Sequence, residues 1–398
     1  MTSDSDSRRR LAIVCNSLPP YRVNLHRVLA RGIPELRLET LVTHGATEFA
    51  WQEKIPEEIH AVHFSQYGEA AHGGMLVAPW TDWKKGGEMI RYLKQRDFAA
   101  VIFSGYGYPS HLRLLQNLVQ RKLPFFLCND SNSRCDRART TPFRRWLKQR
   151  FFHWANPRAA GIMPMGTLGA EYYASYGVPR DKMYFVPCTP DYDWFAEKDS
   201  AGVNAILKRF SLFGERKRLL YSGRFHPLKR VDLLIDAFAA IAAERPDWDL
   251  VLVGAGPVED ELRKRVPPEL VGRVCWPGFL GMEELRNVYH ACDVLVQPSD
   301  YEPWALVVQE AMSAGLPVVA SDIVGAARDL VAPGVNGFIF PCGDLPKLTE
   351  CLRVATRAES LDPLKAAAIT GLAAWRRRVD VVREVRRALH DAGAIASL

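Results

Sequence analysis

The sequence has no apolar run of the roughly 18 residues that a helix needs to cross a bilayer. Its eight cysteines include no C-x-x-C pair, and Cys15, Cys128 and Cys292 stand inside apparent strands. Neither a zinc site nor a disulfide framework is indicated, and buried reduced thiols in a cytoplasmic protein are the expectation. His26, His44, His63 and His111 lack ligand spacing, so no metal site is expected. There is no repeat at a period of about 20–50 residues, which excludes solenoids and propellers. Residues 11–15 are too few for the apolar core of a signal peptide and read as a first strand.

What is present is ordinary for a globular protein: 398 residues, 48% hydrophobic and 24% charged, enough for two or three domains with an ample core. The net charge of +7 fits nucleic acid, anionic lipid or a phosphorylated substrate as partner. Part of the excess is local, because residues 134–158 hold eight Lys/Arg against one acid, Asp136.

Along the chain, short apolar runs alternate with segments of helical spacing. Strands are expected at 11–15, 36–42, 99–103, 125–128 and 160–165, with helices at 21–30, 89–96, 111–121, 142–154 and 167–176; 44–83 reads as irregular. Val186-Pro-Cys-Thr-Pro190 reads as a linker, after which the alternation restarts. Strands at 218–222, 249–253, 292–298 and 318–320 then frame helices at 231–244, 258–265, 283–291 and 303–314. Such alternation means parallel sheets with right-handed crossovers, here two doubly wound halves. The expected boundaries are 1–195, 196–374 and a last segment, 375–398, with one helix over about 375–392 crossing back onto the first half. Ligands of these sheets bind at the carboxyl ends of the strands, which would put a cleft between facing halves.

Two stretches carry chemistry. In Ser222-Gly-Arg-Phe-His-Pro-Leu-Lys229, Gly223 lets the backbone come close to a ligand, while Arg224 and Lys229 supply a fork and a compact charge for a diphosphate. In Asp300-Tyr-Glu-Pro-Trp-Ala-Leu-Val-Val-Gln-Glu310, Pro303 suits a first helical position, so Glu302 would precede a helix N-terminus that favours an anion. Were the whole interval helical, Glu302 and Glu310 would lie about 12 Å apart, wider than the roughly 5–9.5 Å of a hydrolase acid/base pair. The spacing fits a long ligand gripped at both ends. Gly254-Ala-Gly256 follows a strand but lacks the third glycine of a dinucleotide fingerprint. His226, inside the basic turn, is a further candidate for donor contact.

These motifs, with Ala314-Gly-Leu-Pro-Val-Val-Ala320 and Gly334-Val-Asn-Gly-Phe338, make the chain resemble glycosyltransferase family 4, the group 1 glycosyltransferases of GT-B fold. The likeness covers about residues 170–345 closely and the first half only in layout. It implies two Rossmann-like domains and a nucleotide-diphosphate sugar as donor substrate, with no cofactor. Arg224 and Lys229 would bind the diphosphate, Glu302 the sugar hydroxyls and Glu310 the ribose. The backbone of Trp304, Ala305 and Leu306 would meet the phosphates, with Gly254 near the nucleotide. Such enzymes retain anomeric configuration and need no metal.

Two features depart from the family. Leu18-Pro-Pro-Tyr-Arg22 replaces a Gly-Gly loop, and Arg22 reads equally as an anionic-acceptor contact or a structural arginine. Asn129 or Asp130 stands where many members have a histidine, open to a catalytic or sugar-contact role or to simple Asx capping. The expectation is a retaining transferase acting on a hydroxyl acceptor, lipid-linked or saccharide; the alternatives are an epimerase-like enzyme and a non-catalytic module of the same fold. Residues 143–154 mix Arg144, Arg145, Lys148 and Arg150 with Phe143, Trp146, Leu147, Phe151, Phe152 and Trp154. They read either as a helix on an anionic membrane at the inner face or as a packing helix with a solvated basic face. No nucleic-acid module accompanies them.

Overall fold

The computed structural model describes residues 7–44, 55–64, 79–212 and 215–396. Much of the expected irregular stretch lies outside them. The chain divides into two compact units, Met1–Thr189 with Val379–Leu398, and Pro190–Arg378.

The first unit holds a parallel sheet of β1 (Arg10–Cys15), β2 (Arg37–Val42), β3 (Val62–His63), β4 (Phe98–Ser104), β5 (Phe125–Asn129) and β6 (Gly161–Pro164), in the order β3-β2-β1-β4-β5-β6. Its inner strands read as nearly continuous apolar runs because helices cover both faces. Alternate residues go to opposite cores. Ala12, Val14, Val101, Phe103, Phe125 and Leu127 join one; Leu11, Ile13, Ala100, Ile102, Phe126 and Cys128 join the other.

The expected helix over 375–392 is two helices. Ala358–Arg378 ends, and Val381–Asp391 starts afresh with Asp380 as its cap, the carboxylate accepting from the Arg383 amide at 3.0 Å. A short acid that can bond the backbone two or three residues on competes with helix continuation. The later helix sends Val385, Ala388 and Leu389 into the core of the first unit, and Arg386 pairs with Glu35 at 2.7 Å. A helix that the apolar spacing did not signal, Ser133–Arg139, is capped by Asn132, which accepts from the Arg134 and Cys135 amides. Helix also begins at Pro79, inside the stretch expected to be irregular.

The second unit repeats the plan with β7 (Lys217–Ser222), β8 (Trp248–Val253), β9 (Val274–Gly278), β10 (Val294–Gln297), β11 (Val318–Ser321) and β12 (Gly337–Phe340), in the order β12-β11-β10-β7-β8-β9. From β7 the chain winds outward through β8 and β9, then crosses back to β10 and winds the other way. The point of reversal lies between β7 and β10, where doubly wound sheets bind ligands beyond the strands' carboxyl ends. Among the described residues no helix is long and apolar enough to cross a membrane.

Candidate active site

The loops leaving β7 and β10 meet at that reversal. After β7, Gly223 turns the chain, the Tyr221 hydroxyl holds the Arg224 carbonyl at 3.0 Å, and Phe225 is buried. A short turn, Pro227–Lys229, follows, capped by the His226 imidazole, which accepts from the Leu228 amide at 3.2 Å. His226 is thereby engaged in its own loop. From the β10 side, the Asp300 amide donates to the Leu228 carbonyl at 2.8 Å, and Arg230 bridges Asp300 and Asp232 at 3.0 and 3.2 Å.

The glycine-rich loop after β8 backs this turn. Gly254 has φ of 138°, and a Cβ there would come within 1.9 Å of the Gly223 carbonyl oxygen. Gly256 is equally close to Phe225 backbone. This near contact of two loops accounts for both glycines without a dinucleotide fingerprint.

The helix carrying Glu310 starts later than its proline suggested. It spans Leu306–Ser313, and Pro303 lies in the loop before it. Ala305 holds a left-handed conformation, φ 77°, which costs a non-glycine residue on the order of 1 kcal/mol. The bend lets Trp304 turn inward, where its indole N–H donates to Gln309 at 2.7 Å and its ring lies 6.1 Å from that of Trp375. Gln309 in turn donates to the Tyr192 hydroxyl at 2.5 Å. A proline fixes φ but does not name the turn that follows, and here the loop continues two residues beyond it. The 12 Å helical span between Glu302 and Glu310 therefore does not apply. Among the described residues no side chain caps this helix; the Val308 amide donates to the Ala305 carbonyl at 3.1 Å, which leaves the amides of Leu306 and Val307 as the donors an anion could use.

The four ionisable residues differ in state. Arg224 is exposed and, among the described residues, enters no ion pair. Lys229 and Glu302 are bonded to each other, Nζ to Oε2, at 2.5 Å. Glu310 is buried, accepts from the Tyr289 hydroxyl at 2.7 Å, and burial raises its carboxyl to about 7 despite that bond. An ionised carboxylate has room for about four hydrogen bonds, so this one is short of donors. Tyr289, at the other end of the contact, gave no sequence signal: it sits on the helix Met282–Ala291 and meets Glu310 only through packing.

Gly223, Arg224, Lys229, Gly254, Glu302, Trp304, Ala305, Leu306 and Glu310 thus all belong to the second unit, on the elements around the reversal. Asn129 and Asp130 belong to the first, at the carboxyl end of β5; Asn129 donates to the Ser131 hydroxyl at 3.4 Å, and Asp130 is exposed. Arg22 donates to Asn16 and to the Ser17 carbonyl, the latter at 3.0 Å, in the same unit. Among the described residues, no cluster of three or more His, Cys, Asp or Glu could hold a metal ion.

Solved structures share this architecture. The sucrose-phosphate synthase of Thermosynechococcus elongatus is 19% identical, with a TM-score of 0.75 over 97% of this chain and 100% of its own. Anabaena HepE, solved with UDP and glucose, is 18% identical, with a TM-score of 0.73 over 98% and 100%. At such identities the likeness shows the fold, GT-B. Among relatives by sequence, the alpha-D-kanosaminyltransferase of Streptomyces kanamyceticus is 26% identical over 62% of this chain and 65% of its own length. The lipopolysaccharide core mannosyltransferase LpsB of Rhizobium meliloti is 31% identical over 50% and 54%. The chain thus spans less than two thirds of the length of the curated relatives it matches. Residues 204–360, from before β7 to beyond β12, match the family model described as glycosyl transferases group 1, and this matched segment carries all the second-unit residues of the site.

Proposed function

We propose that the protein is a retaining glycosyltransferase that moves a sugar from a nucleotide-diphosphate sugar to a hydroxyl acceptor, lipid-linked or saccharide, in cell-envelope or exopolysaccharide synthesis at the inner face of the cytoplasmic membrane. One observation carries the reading. Among the described residues, an arginine without an ion pair, a helix N-terminus without a side-chain cap, a bonded Lys–Glu pair and a donor-poor buried carboxylate lie on the elements around one sheet reversal. These are the demands of a diphosphate between a sugar and a ribose.

In this reading Arg224 forks onto the diphosphate, and the N–H groups at Leu306 face it. The diphosphate competes with Glu302 for Lys229, and the Glu302 carboxylate meets the sugar hydroxyls. Glu310 accepts the ribose hydroxyls. In the transfer step the bond from the anomeric carbon to the diphosphate oxygen breaks. The acceptor hydroxyl forms the new bond to that carbon, and its proton passes to the departing diphosphate. Charge growing on the leaving group is met by Arg224, Lys229 and the helix end, with no metal required. Asn129 and Asp130 are the acceptor-side candidates.

The test is thermal stability against a panel of nucleoside diphosphates and their sugars. A ligand at 100 times its Kd that binds only the folded state adds about 2.7 kcal/mol. A shift with one nucleotide and its sugar names the donor; no shift with any of them sinks the reading. Release of free nucleotide without any acceptor would instead favour an epimerase-like reaction.

A further inference from the structure

The helix Pro142–Ala155 has two unlike faces. On one, Phe152 is buried among Tyr172, Tyr173 and Tyr176, ring centroids 6.1, 5.6 and 5.3 Å away; Phe151, at the border between the faces, stacks on Tyr106 at 5.1 Å. On the other, Phe143, Trp146 and Leu147 are 67, 53 and 46% exposed. They lie three and four residues apart and so form one stripe. Phe152 follows Phe143 by about two and a half turns, which puts it on the opposite side. The Phe143 and Trp146 rings stack at 6.0 Å and 20°, so they stand as one slab.

Charge surrounds this slab. The one acid within residues 134–158, Asp136, is used inside the unit, accepting from Lys148 at 2.5 Å, Thr140 at 2.5 Å and Tyr176 at 2.8 Å. Arg144, Arg145 and Arg150 are exposed and, among the described residues, enter no ion pair. Exposed aromatics between uncompensated arginines suit the headgroup layer of an anionic bilayer, which offers apolar depth and negative charge together.

Chain direction adds a second argument. From β5 the chain passes through Ser133–Arg139 into this helix and returns to β6, parallel to β5. A crossover helix starts at the carboxyl edge of its sheet and ends at the amino edge. Phe143, Trp146 and Leu147, in its first half, therefore stand on the side of the sheet where Asn129 and Asp130 lie.

We propose that this helix seats the protein on an anionic lipid surface, with Phe143, Trp146 and Leu147 inserted at the headgroup–acyl boundary and the carboxyl edge of the first sheet turned toward the lipid. The inference rests on the lipid-linked acceptor proposed above and names the face that would receive it.

The experiment is co-sedimentation of the full chain with vesicles of phosphatidylglycerol and phosphatidylcholine, against phosphatidylcholine alone. The full chain pellets with the anionic vesicles and not with the neutral ones. Replacing Phe143, Trp146 and Leu147 together by Ser lowers the partition coefficient by about tenfold or more. Each of Arg144→Gln, Arg145→Gln and Arg150→Gln lowers it about fivefold. All these residues are exposed, and an unchanged circular dichroism melt confirms that each variant folds. Failure to bind anionic vesicles, or binding that the triple variant leaves unchanged, overturns the proposal and points to a protein partner. The readout uses no donor, so vesicle binding without a nucleotide-induced melting shift sinks the transferase reading alone.

Discussion

Lys229 and Glu302 lie 73 residues apart in sequence and share a hydrogen bond of 2.5 Å across the reversal of the second sheet. Read separately, one is a phosphate cation and the other a sugar contact. Bonded together they neutralise each other's charge, and under the proposed function a ligand with both features would compete for them. Lys229→Ala should weaken nucleoside diphosphate binding by about 10- to 150-fold, the size of a hydrogen bond to a charged group. Glu302→Ala should abolish transfer while leaving nucleotide affinity intact or higher, because Lys229 is then released. Calorimetric titration of both variants decides it; a large loss of nucleotide affinity in Glu302→Ala removes its role as sugar contact.

Glu310 should make stability depend on pH. Its carboxyl lies at about 7 in the folded chain against an ordinary 4.5, because burial disfavours the charged form. Between these values the folded state binds more protons than the unfolded state, so stability falls as pH rises from about 4.5 to about 7 and then levels. The total is on the order of 3 kcal/mol. Glu310→Gln should flatten that slope and, at pH 8, be more stable than the parent while binding nucleotide less well. Urea midpoints across the range test this; an unchanged slope in the variant assigns the titration elsewhere.

The seam between the β7 and β8 loops should tolerate no side chain at Gly254. An alanine there meets the Gly223 carbonyl at 1.9 Å and a φ of 138°, and a loss of about 3 kcal/mol or more is expected. Gly272→Ala is the control, since nothing lies within 4 Å of its Cβ position; it should stay within about 0.5 kcal/mol. Equal denaturant midpoints for the two would contradict the packing described.

Trp304→Phe should keep the fold and lose about 1–3 kcal/mol, because the Gln309 amide oxygen is left buried without its donor. Gln309→Leu also removes the bond to the Tyr192 hydroxyl, so alone it should cost more, and the two changes together should cost less than their sum. A double-mutant cycle with zero coupling would show that the indole bond contributes nothing.

Most strands and crossover helices could be read from the sequence, because a parallel sheet covered on both faces requires short apolar runs between amphipathic segments. The reversal points follow from strand order, which alternation alone does not fix. Glu302, Lys229 and Arg224 could be picked out by residue type and position. That Arg224 stands open while Lys229 is paired could not, since pairing depends on how two loops meet. The same holds for Tyr289 against Glu310. Pro303 misled because the left-handed turn at Ala305, which starts the helix, has no signature in an alanine. Asp380 was a helix break hidden between two segments of similar amphipathic spacing.

The chain leaves the first unit at Thr189 and re-enters it at Val379. The second unit is therefore one continuous stretch, while the first is assembled from both ends of the sequence. During synthesis on the ribosome, Leu11, Ile13 and Phe126 are made long before Val385, Ala388 and Leu389, which complete their core. One face of the early sheet stays uncovered by its final helix until the whole second unit has been translated. Completion of the first unit thus waits for the segment after Val379 to emerge, and a nascent chain stalled before it would carry an exposed apolar face suited to capture by a chaperone.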